Sequence, residues 1–139
     1  MKRKCQIMSI CVILCLFVAG CLTVTVNQDP LIPIASNTGR LVMALAAAKA
    51  PEYVPEIERV RDMTISALQD NSIDLGPAIG NVMAAVQALS DHPRIGKYAG
   101  IITEASRLLM DVVRMEWTVP EKYARARRIV MAFLEGMKT

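Results

Sequence analysis

Residues 95–112, IGKYAGIITEASRLLMDV, decide the fold. Within them Ile95, Tyr98, Ile102, Ala105, Leu109 and Val112 recur at alternating spacings of 3 and 4, the seam that lets a helix pack along a neighbour in a bundle. The pattern predicts a helix from about Pro93 to Trp117. Downstream, Thr118-Val119-Pro120-Glu121 has the form of a capping box. Tyr123, Ala126, Val130, Phe133 and Met137 then carry the same spacing into a last helix.

Upstream, each break in the apolar pattern is a helix-boundary signal. Pro77 to Ser90 repeats Ile79, Val82, Met83, Val86 and Leu89 on one face, after a turn over Asn71 to Gly76. Pro55 to about Asp70 begins with proline in its first turn and aligns Ile57, Val60, Thr64, Ala67 and Leu68. Thr38 to Ala50, with Asn37 or Thr38 as cap, stops before Pro51. The expected fold is all-α: a small bundle of about five helices over residues 37–139. A faint repeat relates Arg40-Leu41-Val42-Met43, Val54-Pro55-Glu56 and Arg59-x-Arg61 to Arg107-Leu108-Leu109-Met110, Val119-Pro120-Glu121 and Arg125-x-Arg127. If real it would mean two related hairpins with the Pro77 helix between them, but chance similarity among Leu- and Arg-rich helices is the simpler account.

The first 20 residues are of another kind. Lys2, Arg3 and Lys4 precede an apolar run that only Gln6 and Ser9 interrupt, and Val18-Ala19-Gly20 closes it. This is the order of an export signal. Val18-Ala19-Gly20-Cys21 resembles the lipobox of bacterial lipoproteins. That resemblance implies cleavage between Gly20 and Cys21, a diacylglyceryl thioether on Cys21, and often a further acyl chain on the new amino terminus. Two or three chains hold firmly where one binds reversibly. Leu22 stands where aspartate resembles an inner-membrane retention signal, so the resemblance implies the outer membrane, facing the periplasm, in a double-membraned host. Two plainer alternatives are an uncleaved helix over Ile7 to Val26 and ordinary cleavage with release. Leu22 to Ser36, with two prolines and almost no charge, reads as a flexible tether about 20 to 25 Å long. Thr23 to Val26 could instead form a short edge strand. The organisation expected is therefore a signal peptide over 1–20, a lipidated tether over 21–36 and the helical domain.

Removing the signal also removes the charge imbalance. Of 16 basic residues 13 lie beyond it, against 13 acidic ones, so a neutral mature chain gives no general attraction to nucleic acid. Of the four cysteines only Cys21 would survive cleavage, which rules out a disulfide framework.

Residues suited to chemistry are sparse. His92 is the single histidine; a metal site with Asp91 and Asp74 is conceivable, but a solvated turn residue is the simpler reading. Ser66, Ser72, Ser90 and Ser106 lack a nucleophile elbow, and mid-helix Ser66 and Ser106 are expected to bond back to a carbonyl. Glu52 with Glu56, and Glu104 with Asp111, share helix faces but are interleaved with arginines. Gly96 and Gly100, one turn apart, suggest close approach of another helix. The sharpest feature is Lys122, Arg125, Arg127 and Arg128 at the start of the last helix, where cations oppose the helix dipole. They suit an anionic surface of lipid headgroups or an acidic partner; pairing with Glu116 and Glu121 is the plainer account. No enzyme activity, cofactor or metal is expected. The expected function is a non-catalytic binding or structural module of the cell envelope, partnered by another envelope protein or by itself. A carrier or sensor of an apolar ligand or lipid, and a phage- or prophage-type lipoprotein acting in lysis or exclusion, are the alternatives.

Overall fold

A computed structural model of the chain describes residues 29–70 and 75–138. Cys21, the signal segment and the alternative strand at Thr23 to Val26 lie outside the described residues, as do Ser72 and Asp74. Five α-helices make up the described part: α1 Leu31–Lys49, α2 Val54–Gln69, α3 Leu75–Ser90, α4 Ala99–Trp117 and α5 Tyr123–Gly136. Short 3₁₀ turns over Pro51–Tyr53 and Gly96–Tyr98 lead into α2 and α4. The described residues contain no strand, so the all-α bundle expected from periodicity is the observed fold. Helix α1 lies along α5, and α4 packs between α3 and α5. Phe133, Ile129 and Leu134 from α5 meet Val42 and Ala46 from α1 and Ile102, Met110 and Val113 from α4 in one apolar core.

The boundaries depart from the sequence reading in three places. Helix α1 starts at Leu31, seven residues before Thr38 and inside the segment expected to be tether. Asp29 opens it by accepting a 3.0 Å hydrogen bond from the Leu31 N–H. Pro30 and Pro33 fall at the helix start, where N–H groups have no intrahelical partner to lose. Thr38 does not cap; mid-helix, its hydroxyl donates back to the Ile34 carbonyl at 2.8 Å. Helix α4 begins at Ala99 instead of Pro93, because Gly96 takes φ +50° and breaks the helical path. The capping box before α5 is not formed: no side chain caps this helix. The Val119 carbonyl instead accepts from the N–H groups of Lys122 at 2.9 Å and Tyr123 at 3.0 Å.

The seam of α4 is also wider than its heptad reading. Ile95, Ile102 and Leu109 are buried as expected, but Ala105 and Val112 are half-buried and Tyr98 is exposed. Ser106, Met110, Val113 and Glu116 complete the buried stripe, since a helix with neighbours on two sides buries a broader arc than a two-stranded seam.

Close helix approach occurs, but elsewhere than at Gly96 and Gly100, where an added Cβ would meet nothing within 4 Å. It lies at the crossing of α1 and α5. A Cβ on Gly39 would sit 2.0 Å from the Phe133 carbonyl oxygen, and one on Gly136 would sit 2.1 Å from the Ser36 carbonyl oxygen. The two helices thus meet backbone to backbone through one glycine from each. Both neighbours are main chain and cannot swing aside. We expect Gly39→Ala and Gly136→Ala each to destabilise the bundle by about 3 kcal/mol, the upper range of overpacking. Gly80, inside α3 with open space around it, should gain about 0.5–1 kcal/mol on mutation to Ala. Urea unfolding of the three variants checks this; a neutral Gly136→Ala would contradict the crossing.

Candidate functional site

The four cations singled out in the sequence separate into two roles. Arg125 points inward from the first turn of α5. Its guanidinium donates to the Asp29 carboxylate at the head of α1 and to the Glu116 carboxylate near the end of α4. The side chains of Asp29 and Glu116 keep only 14% and 11% of their exposure, so the single charge of Arg125 serves two largely buried carboxylates and joins three helix ends. Its hydrogen bond to Arg125 holds the Asp29 carboxyl below its ordinary range, helped by the Leu31 N–H and by the charges of Arg125 and Arg128.

Arg127 is structural too. It donates to the Leu68 carbonyl in the last turn of α2, satisfying an acceptor the helix leaves open. Arg61 of α2 does the same for α5, donating to the Met137 carbonyl at 3.0 Å. The two arginines match each other in the faint sequence repeat, and each closes the C-terminal end of the other's helix. Only Lys122 and Arg128 stay exposed, and neither makes an ion pair with a described residue. With Glu121 also exposed beside them, the net positive charge of this face is small.

Between the N-terminal part of α1 and α5 runs an open cleft of about 710 Å³. Apolar Ile32, Ala124 and Met131 line it together with Asp29, Tyr123, Arg127 and Arg128. Trp117 lies close by, its ring 4.2 Å from that of Tyr123.

His92 is more constrained than a solvated turn residue. Its Nε2 lies 2.8 Å from Glu52, its Nδ1 accepts from the Arg94 N–H at 3.2 Å, and its ring meets the Tyr53 ring edge-on at 5.4 Å. Accepting at Nδ1 requires the neutral ring to carry its proton on Nε2, which then donates to Glu52. His92 thereby pins the α3–α4 connection to the turn before α2. Asp91 is engaged by Gln87 at 2.8 Å, and no group of three or more metal-binding side chains forms among the described residues.

Three further carboxylates sit beside cations on exposed faces: Glu56 with Arg59 at 2.6 Å, Glu104 with Arg107 at 2.6 Å and Asp111 with Arg114 at 3.7 Å. Ser90 donates back to Val86 as mid-helix hydroxyls do, and lies 2.7 Å from the Thr103 hydroxyl. Ser106 departs from its expected back-bond, with a buried hydroxyl that has no partner.

One surface feature was not singled out in the sequence. On α4, Ile101, Leu108 and Met115 stand seven residues apart and are exposed, Leu108 at 56% and Met115 at 68%. Half-buried Ala105 and Val112 fill the positions between them. The row borders the buried stripe, so α4 is apolar on its core side and on an adjoining outer face. A wider apolar arc than the core requires was the signal that could have revealed it.

Replacing Arg125 by Met should cost on the order of 3 kcal/mol, because two poorly hydrated carboxylates lose their cation. Asp29→Asn should cost less and should change the acid response. With its folded-state pKa depressed, Asp29 contributes full stability above about pH 5, and this is lost as pH falls through and below its ordinary value of 3.8. The wild-type chain should therefore lose stability between pH 5 and 3 more steeply than Asp29→Asn, measured by urea unfolding across that range. Comparison with known proteins adds no relative: no family model matches the chain, and no curated protein or solved structure matches it.

Proposed function

We propose that the chain is a lipid-anchored, non-catalytic module of the cell envelope that presents a helix face to another envelope protein or to itself. The observation that carries the reading is the exposed apolar row on α4, because a large side chain such as Leu108 at 56% exposure, repeated one heptad either way, is a surface suited to a partner. The lipobox-like Val18-Ala19-Gly20-Cys21 supplies the location. From Cys21 to Asp29 is eight residues, an extended reach of at most about 28 Å, so the bundle would ride close to the membrane with the α1 and α5 N-termini towards it. Outer-membrane residence belongs to the same proposal and rests on Leu22. Activity on this reading is placement: lipid fixes where the bundle sits, and α4 makes the contact.

The alternative of an apolar-ligand carrier is favoured by one observation, the cleft that Ile32, Ala124 and Met131 help to line. Its open, charged edge gives less enclosure than a lipid tail needs.

Mass spectrometry of the N-terminus and membrane fractionation test the anchor together. The wild-type chain should begin at an acylated Cys21 and sediment wholly with membranes. Cys21→Ser should keep its first 20 residues and carry no acyl mass. An unmodified Met1 terminus on the wild-type chain would overturn the anchor.

A further inference from the structure

The charges of the chain are sorted by helix. Residues 29–50, which hold α1, and residues 118–138, which hold α5, carry seven basic residues against three acidic ones, Asp29, Glu121 and Glu135. Residues 51–117, which hold α2, α3 and α4, reverse the balance with six basic against ten acidic. A chain that is neutral after its signal is therefore polar, with four positive charges in excess on the first two segments and four negative on the third. Because α1 lies along α5, the positive segments adjoin and form one side of the bundle. The small positive excess at the start of α5 thus continues along both helices. Counting Glu116, which Arg125 also serves, leaves an excess of three on that side. Asp29 and Glu135 are ion-paired there, with Arg125 and, at 2.7 Å, with Lys138. Exposed Arg40, Lys49, Lys122 and Arg128 make no ion pair with a described residue.

We propose that the α1–α5 side lies on a membrane surface that carries anionic phospholipid headgroups. The proposal rests on reading the chain as lipid-anchored, and adds which face of the bundle meets the lipid. An anionic surface attracts the positive side and repels the α2–α4 side, so both halves of the charge separation turn the bundle the same way. The point where the described chain begins agrees. Asp29 lines the cleft between α1 and α5, and Cys21 lies eight residues before it, so the lipid enters the bilayer within about 28 Å of that cleft. An acidic protein would suit the charge as well, but the tether brings a lipid surface to this side and to no other. The remaining composition fits an interface. No acidic residue occurs from Leu31 to Lys49, and Ala44 and Ala47, one and two turns beyond Arg40, are exposed. Trp117 at the end of α4 lies against Tyr123 at the head of α5, and both are residue types favoured where membrane meets water. Arg128 brings an unpaired charge to the cleft for a headgroup phosphate, beside apolar Ile32 and Met131.

Exposed alanines allow the faces to be mapped on the full-length chain. Ala44→Cys on α1, Ala124→Cys on α5 and Ala84→Cys on α3 each add the one free thiol to a chain whose Cys21 is acylated, and each position is exposed. The thiol is labelled with a fluorescent probe, and the chain is reconstituted into phosphatidylcholine vesicles, alone or mixed equally with phosphatidylglycerol. With phosphatidylglycerol present, probes at the Ala44 and Ala124 positions should be shielded several-fold from acrylamide in the water, while the probe at Ala84 stays open. Salt at about 1 M, which confines charge interactions to about 3 Å, should undo the shielding. Arg40→Glu combined with Arg128→Glu should undo it too, with circular dichroism to check that the bundle is folded. Equal access at all three positions in both lipids, shielding at Ala84 instead, or shielding found only in native membranes and lost in vesicles would each overturn this face. The two readings fail separately: an acylated Cys21 without shielding overturns the face alone, and shielding of a chain that carries no lipid on Cys21 overturns the anchor alone.

Discussion

The backbone crossing of α1 and α5 is the constraint on which the other contacts depend. Gly39 and Gly136 let two helices from opposite ends of the described chain touch main chain to main chain. Close approach of this kind raises dispersion contact along both helices and leaves no room for adjustment. It also fixes where Asp29 lies. With the head of α1 held beside the start of α5, Arg125 can reach Asp29 and Glu116 at once, and the point from which the Cys21 segment departs is tied into three helices.

This packing also bears on α1 itself. By length and composition α1 is apolar enough to cross a membrane. Yet Ala35, Gly39, Val42, Met43 and Ala46 are buried within the bundle, and removing them would strip the partner surface from α5. Apolarity here serves a core helix that also has a lightly covered side.

Much of the architecture was legible in the sequence, for physical reasons that also explain the misses. The apolar spacing in α2, α3 and most of α5 reported the core faces because each of these helices buries one main stripe, although Tyr123 at the head of α5 is exposed. Where α4 has two apolar faces, the same spacing mixed them: Ile102 and Leu109 belong to the core, while Tyr98 belongs to the surface. The start of α1 was hidden because Pro30 and Pro33 read as tether, although prolines at a helix start cost nothing in hydrogen bonds. The basic run of α5 read as one surface patch, yet Arg125 and Arg127 turn inward to carboxylates and to a carbonyl that lie 9 to 96 residues away in sequence. Glycines at Gly39 and Gly136 carry no local signal at all, since only the partner backbone reveals why a side chain is excluded. The lipobox-like motif is the reverse case, read wholly from local sequence.

Native-state hydrogen exchange on the full-length chain tests the central claim most directly, because it reports which helices open together. If α1 is a bundle helix locked to α5, amides around Gly39 and around Phe133 should share one opening free energy and respond alike to added urea. Amides of α1 that stay protected while those of α5 exchange freely in urea would show α1 to be held by the membrane instead, and would contradict the account.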